Sequence, residues 1–342
     1  RIRPITLTEN VGQGFARNQG IDAAKGEFVW FIDADDFLEN SHHLQDLYER
    51  AVSESSDMVR GQKHCEQVEG DDETRTFRRY DATERYFGSE IDDTTLRASP
   101  WLLQSRHCWL WLYRRDFLNE NGIRFVNTQW EERPFVVEAM LAARRISSTT
   151  SKGAIYRVRK GSTARRKRNR RDFELQLSNF ERVMELLKNA GAADGDNELY
   201  SHARFLLSQS IHYLVVGFPW TFASGQPQLL KQVLDTIRGA LEAFDFRPDE
   251  FDHSVAALNT DLINALAYPL IVAAIRADEV DVIEKARKRL PLDQSDLYRR
   301  YAVEPKGRTA EELESAINRY ACNERVRAAP YRLRRDRRHS EL

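Results

Sequence analysis

Hydrophobic and polar positions change rhythm twice along the chain. Residues 2–7 read as a short β-like run, and Asn10-Val-Gly-Gln-Gly14 as a glycine turn. Residues 15–24 have helical spacing, with Phe15, Ile21 and Ala24 on one face and Gly26 as a stop signal. Phe28-Val-Trp-Phe-Ile32 is then continuously apolar, the pattern of a strand buried on both faces of a parallel sheet. It ends abruptly in Asp33-Ala-Asp35-Asp36. Strand, helix and strand over about 30 residues predict a βα-type unit and an α/β fold.

Residues 41–56 carry a helical stripe (Leu44, Leu47, Tyr48, Ala51), with His42 and His43 expected to face solvent at its start. Residues 61–93 are polar and acidic and predict short edge strands and a loop. Residues 109–117 are aromatic and basic, and Asn121-Gly122 marks a turn. Residues 130–143 open on Glu131 and Glu132, place Pro134 in a first helical turn and continue as an apolar helix. Residues 154–158 are strand-like.

From residue 172 the pattern becomes helical throughout. Phe173, Leu177, Phe180, Met184 and Leu187 form an amphipathic stripe, and further helices are expected over 198–216, 227–244, 254–277, 278–289 and 309–320. This division predicts an α/β domain over 1–171 and an all-α domain over 172–342 with a basic tail. The chain begins without Met a few residues before dense motif content, which suggests a missing N-terminus.

Composition narrows the function. At 342 residues, 41% hydrophobic and a mean hydropathy of −0.62, the chain can build a core, and a length of this order suggests about two domains. The 52 basic and 53 acidic residues nearly cancel, which argues against a general polyanion binder. That balance conceals segregation. Residues 157–171 hold nine Lys/Arg and no acid, and residues 325–338 hold seven and one. Together they carry +15, leaving −16 on the rest. Nucleic acid is disfavoured by this acidic body.

Cys65, Cys108 and Cys322 have no paired spacing, which suggests reduced thiols and a cytoplasmic protein. His64 with Cys65, and His107 with Cys108, lack zinc-ligand spacing, while His107 could contact an acceptor. The longest apolar run, 262–275, is too short to span a bilayer and is interrupted by Pro269.

The acidic turn fits two chemistries. Carboxylates one residue apart at a strand end can share a hard divalent cation, and in open α/β sheets that edge binds ligands. Alternatively, Asp35 or Asp36 caps the following helix.

The ordered string Glu9-Asn10-Val-Gly12-Gln-Gly14-Phe-Ala16-Arg17-Asn18-Gln-Gly20-Ile21, Ala24-Lys25-Gly26-Glu27-Phe28, Phe31-Ile32-Asp33-Ala34-Asp35-Asp36 resembles the family 2 glycosyltransferases of the inverting GT-A class. Trp111-Leu-Tyr113-Arg114-Arg115-Asp116-Phe117-Leu118, Gly122-Ile123-Arg124-Phe125, Trp130-Glu131-Glu132-Arg-Pro134-Phe135 and Tyr156-Arg157-Val-Arg159-Lys160-Gly161-Ser162-Thr163 continue the likeness to about residue 165.

The resemblance implies a GT-A domain with a mixed sheet, lacking its first strands. It also implies a nucleotide-sugar donor, usually a UDP-sugar, bound with Mg²⁺ or Mn²⁺, and a carbohydrate or lipid-linked acceptor in polysaccharide or glycoconjugate synthesis. Asp33 would lie near the ribose, diphosphate and metal, and Asp35 would reach the metal. Asp36 would be a structural cap. Arg17 would face the donor or serve as a salt bridge within the fold. The family places an Asp after a Glu at a helix start, so Glu132 takes the position of the catalytic base, one methylene longer, with Glu131 as the alternative. Trp111, Arg159 and Ser162 are candidate acceptor or diphosphate contacts. Trp109, Trp111 and Trp130 could stack on a sugar or pack in the core.

The run 165–168 reads as a loop over diphosphate, a solvated linker, or a patch for anionic lipid at the inner face of a membrane. A second reading of the whole is a non-catalytic carbohydrate- or nucleotide-binding module derived from such an enzyme.

Overall fold

The computed structural model describes residues 2–39, 42–69, 74–77, 89–126, 129–158, 169–215 and 227–245. The chain divides into two compact units, Arg1–Ser210 and Ile211–Leu342.

The first unit is built on a seven-stranded mixed sheet. Its strands are β1 (Phe28–Trp30), β2 (Phe37–Leu38), β3 (Met58–Glu69), β4 (Thr74–Phe77), β5 (Ile91–Thr94), β6 (Trp111–Arg114) and β7 (Ile146–Val158). The order is β1-β6-β3-β7-β2, with β4 on β3 and β5 on β7. The long central pair β3 and β7 is parallel, from Met58 opposite Ile146 to Val68 opposite Val158, with register shifts between Arg60 and Cys65. The remaining pairs are antiparallel. The helices of this unit are α1 (Gln13–Ala23), α2 (His42–Ser53), α3 (Arg115–Glu120), α4 (Glu132–Ala142) and α5 (Arg170–Asn189), and α6 (Tyr200–Val215) continues into the second unit. In the second unit the described helix beyond α6 is α7 (Pro227–Ala243). Every regular element described from Arg170 onward is helical. The helices expected over 254–277, 278–289 and 309–320 lie outside the described residues.

Residues 61–69, expected among short edge strands, form most of the long central strand β3, and three further local expectations are corrected. Residues 2–7 form no strand. The apolar run at 28–32 pairs antiparallel with β6, Phe28 opposite Arg114 and Trp30 opposite Leu112, and Ile32 is exposed. Its unbroken hydrophobicity comes from two apolar faces rather than from parallel pairing. Phe28 and Trp30 pack on Leu47, Ala51, Val59 and Leu112. Phe31 instead joins Tyr113, Phe125 and Phe135 in a cluster of rings whose centroids lie 5.3 to 5.7 Å from its own.

His43 is the third correction, because it is fully buried instead of solvent-facing. Its Nδ1 lies 3.1 Å from Ser151 Oγ, and that hydroxyl donates to Asp46 Oδ2 at 2.6 Å. Glycines in β3 and β7 make the room. A Cβ on Gly153 would stand 2.2 Å from His43 Cβ and Cγ, and one on Gly61 2.5 Å from Cε1. Polarity suggested solvent, while backbone stripped of side chains supplied a socket. Burial accordingly pushes the His43 imidazole down to about 4, against the pull of Asp46, so the ring is neutral at neutral pH.

This packing predicts opposite outcomes for two glycines. Gly153→Ala forces a side chain into the root of His43 and should destabilise by about 3 kcal/mol. Gly20→Ala, in α1 with nothing within 4 Å of the added carbon, should stabilise by about 0.5 to 1 kcal/mol. Urea denaturation of both variants checks the pair.

Candidate functional site

The polar centre of the first unit begins at α1. Gly12 precedes the helix at φ 83°, a conformation glycine adopts freely, and its N–H donates to Asn10 Oδ1 at 3.0 Å. The helix then presents two adjacent polar side chains. Asn18 clamps the backbone of Phe125, donating to its O at 2.8 Å and accepting from its N at 2.9 Å. Arg17 reaches the other way. Its Nη2 donates to Asp33 Oδ1 at 2.5 Å and its Nη1 to Glu131 Oε1, while its guanidinium lies 5.4 Å from the Phe125 ring centroid. One buried cation thus joins the turn after β1 to the start of α4.

The turn after β1 is closed by Asp36 N–H donating to Asp33 O at 3.0 Å. Gln13 Nε2 also donates to Asp33 Oδ1, at 2.9 Å. One oxygen each of Asp33, Asp35 and Asp36 lies within 4.8 Å of the others. Asp36 does not cap a helix, which corrects the cap reading. Its Oδ1 accepts the Arg157 N–H of β7 at 2.8 Å, because β2 intervenes before α2 and carries the turn to β7. Burial pushes the Asp36 carboxyl up to about 7, with Asp33 and Asp35 adding to the effect and the Arg157 N–H opposing it. An all-oxygen set of half-buried carboxylates with one member driven toward neutrality suits a hard divalent cation, whose charge would compensate that crowding.

Glu131 and Glu132 part company despite adjacency. Glu131 precedes α4 and is almost wholly buried, yet its side chain makes no capping bond and goes to Arg17. Burial lifts its carboxyl to about 7, with Arg17 pulling the other way. Glu132 turns toward the segment before β6. Its Oε2 accepts the Cys108 N–H at 2.8 Å and lies 3.5 Å from His107 Nδ1. Burial favours the neutral acid here too, but His107, Arg17 and the Cys108 N–H outweigh it and hold Glu132 down to about 2.

The loop leading to these acids is fixed from α5. That helix opens with a capping box, Asn169 Oδ1 accepting from Asp172 N at 3.1 Å and Asp172 Oδ2 from Asn169 N at 2.8 Å. Asn179, midway along its buried face, donates to Gln129 O at 3.1 Å and Trp130 O at 2.8 Å. Trp130 itself has φ 60°. Arg182 Nη2 ties the same helix to Glu138 of α4 at 2.7 Å.

The structure therefore brings Arg17, Asp33, Glu131 and Glu132 together, with Asp35 and Asp36 in the adjoining turn. Trp111 is corrected as a candidate acceptor contact. It is fully buried on β6, between β1 and β3, and its indole N–H donates to Ser105 Oγ at 3.0 Å, leaving no face for a sugar. Arg159 and Ser162 lie outside the described residues. Gln13 and Tyr156 lie inside the motifs yet the sequence gives them no role, and Asn179 is missed because only the fold brings α5 to the 129–130 carbonyls. Among the described residues, no helix is long and apolar enough to cross a membrane.

Residues 1–122 match Glycosyl transferase family 2. The succinoglycan biosynthesis protein ExoO of Rhizobium meliloti is 28% identical over 173 residues, 48% of this chain and 47% of that protein. The putative glycosyltransferase EpsH of Bacillus subtilis is 26% identical, over 58% of this chain and 55% of that one. The cholesterol galactosyltransferase of Borreliella burgdorferi is 26% identical, over 70% and 69%. The chain spans about half the length of the first two relatives. The crystal structure of S. aureus TarS 1-349 in complex with UDP-GlcNAc aligns with a TM-score of 0.53 at 20% identity, covering 82% of this chain and 72% of that one, which shows the GT-A fold.

The raised Asp36 carboxyl gives a pH prediction. Its folded value of about 7 lies above the ordinary 3.8, so the native state keeps a proton that the unfolded chain releases. Stability is therefore lost as pH rises between those values. In EDTA, Asp36→Asn should gain stability relative to wild type as pH goes from 5 to 8, measured by urea denaturation. A constant difference across that range contradicts the assignment.

Proposed function

We propose, from the match of residues 1–122 to Glycosyl transferase family 2, that the chain transfers a sugar from a nucleotide-sugar, most simply a UDP-sugar, to a carbohydrate or lipid-linked acceptor with inversion at the anomeric carbon. The observation that carries this reading is the meeting of Arg17, Asp33, Glu131 and Glu132 beside the Asp35–Asp36 turn.

Asp33 and Asp35 would hold Mg²⁺ or Mn²⁺, with Asp36 adjoining, and the bound cation would supply charge against a leaving diphosphate. Arg17, tied to Asp33, would lie at the donor side, and Glu132 would take the proton of the acceptor hydroxyl. Glu131 is less suited to that task, because its carboxylate is buried and engaged by Arg17. The Glu132 side chain is 24% exposed and can meet an acceptor.

The domain would extend over 1–171, with 172–342 as a helical region serving acceptor or assembly. The capping box at Asn169 starts α5, which packs on α4 within the compact unit Arg1–Ser210. The basic run 165–168 would draw the protein to anionic lipid at the cytoplasmic face of a membrane, where envelope polysaccharides and glycoconjugates are assembled.

A panel of nucleotide-sugars led by UDP-GlcNAc tests the reading. Thermal stabilisation should require Mn²⁺ or Mg²⁺ together with nucleotide. Nucleoside diphosphate release should be abolished by Asp35→Ala and lowered on the order of 10²- to 10⁴-fold by Glu132→Gln. Nucleotide binding without turnover from any donor would favour the non-catalytic module instead.

A further inference from the structure

His107 is a polar side chain beside Glu132 that the functional reading does not employ. Its Nδ1 stands 3.5 Å from Glu132 Oε2, the oxygen that also accepts the Cys108 N–H at 2.8 Å. The imidazole is not loose. It stacks on Trp109 with centroids 5.2 Å apart and planes 23° from parallel, and Trp109 stacks in turn on Tyr156 of β7 at 6.2 Å and 4°. Trp109 is 5% exposed, so the ladder is anchored in the core, while the His107 side chain at its end is 41% exposed. Tyr156 neighbours Arg157, whose N–H holds Asp36. A row of rings thus runs from the acidic turn's partner strand to the carboxylate proposed as base.

Resting on that reading of Glu132, we infer that His107 is its positioning residue, holding the carboxylate in one orientation and in its ionised form until an acceptor hydroxyl arrives. Two neighbours on Oε2 restrain how the carboxylate can turn. Glu has one more rotatable bond than Asp, so a longer base loses more freedom on being held and needs such an anchor more. The charged and titratable groups that interact with Glu132 are Arg17 from α1, Asp36 from the turn after β1, Glu131 beside it, His107 and Cys108 before β6, and Tyr113 on β6. Arg17 is already paired with Asp33 and Glu131, whereas the His107 ring nitrogen and the Cys108 N–H lie against Glu132.

In the transfer step the acceptor oxygen forms a bond to the anomeric carbon. Its O–H bond breaks and the proton passes to the Glu132 carboxylate. The anomeric bond to the diphosphate oxygen breaks, and the electron pair leaves with the nucleoside diphosphate. His107 neither makes nor breaks a bond in this step. Its effect is to make the carboxylate available and correctly aimed, and a misplaced base costs rate rather than donor affinity.

Two variants of the full chain separate this role from simple packing. His107→Phe keeps a flat ring against Trp109 and removes both nitrogens, whereas His107→Gln keeps a hydrogen-bond donor. The protonated carboxyl adds to a carbodiimide as an O-acylisourea, from which the amine of glycine ethyl ester displaces the urea, so labelling of Glu132 at pH 6, read by peptide mass spectrometry, reports how firmly it is held ionised. Labelling of Glu132 should be about five-fold or more faster in His107→Phe than in wild type, with His107→Gln within about two-fold of wild type. Asp57, which accepts from the Arg144 and Arg145 backbone N–H groups, serves as the reference and should not change. Equal Glu132 labelling in wild type and His107→Phe overturns the inference, and so does equal acceleration at Asp57, which reports general loosening.

With UDP-GlcNAc or whichever donor is turned over, His107→Phe should lower kcat about ten-fold at unchanged donor KM, and His107→Gln should restore most of it. If wild type releases nucleoside diphosphate from no donor, the transferase reading falls, and the labelling result still decides the role of His107.

Discussion

Arg17 is the interaction on which the rest of the site depends. Its guanidinium is buried, which alone would favour loss of the proton, but the acids around it reverse that and keep it charged. Asp33 and Glu131 stand 98 residues apart in the chain and share this one cation. A buried charge stripped of a partner is costly, so each member holds the others in place. Asn18 extends the hold by clamping Phe125, whose ring lies flat on Phe135 of α4 with centroids 3.9 Å apart. One turn of helix therefore fixes the strand-end acids, the aromatic core and the start of α4 together.

From that arrangement follows a difference in ionisation between adjacent side chains. Glu131, sealed against Arg17, is raised to about 7, and Glu132, held by His107 and a backbone N–H, is lowered to about 2. Environments that push two neighbouring carboxyls apart assign them different tasks. One serves structure by neutralising a buried arginine, and the other is an ionised group with a path to solvent. The one-methylene departure from the family's Asp thus coincides with a local frame that the longer side chain can reach, the Cys108 N–H and His107.

Much of this was legible in the chain. The acids at 33–36 and 131–132 and the Ala-Arg-Asn string declared themselves by type and order, and α5 by period, as the buried Phe173, Leu177, Phe180 and Leu187 confirm. What could not be read arises from long-range pairing. Trp111 resembled a sugar platform until the sheet order placed it between two other strands. His43 looked exposed because nothing local announces that Gly61 and Gly153, far apart in sequence, empty a space for it. Asn179 sits in an ordinary amphipathic stripe, and its role in holding the 129–130 carbonyls appears only when α5 docks beside α4. Period reveals which face is buried, and packing alone reveals what that face holds.

The central claim, that Arg17 couples the strand-end acids to the start of α4, is tested most directly by a double-mutant cycle of Arg17→Gln and Glu131→Gln in urea denaturation at pH 8, where Glu131 is ionised. Arg17→Gln alone should cost about 3 kcal/mol because it leaves a buried carboxylate uncompensated. The double variant should recover a large part of that loss, giving a coupling energy of about 2 kcal/mol. Additive losses, with coupling near zero, would contradict the account.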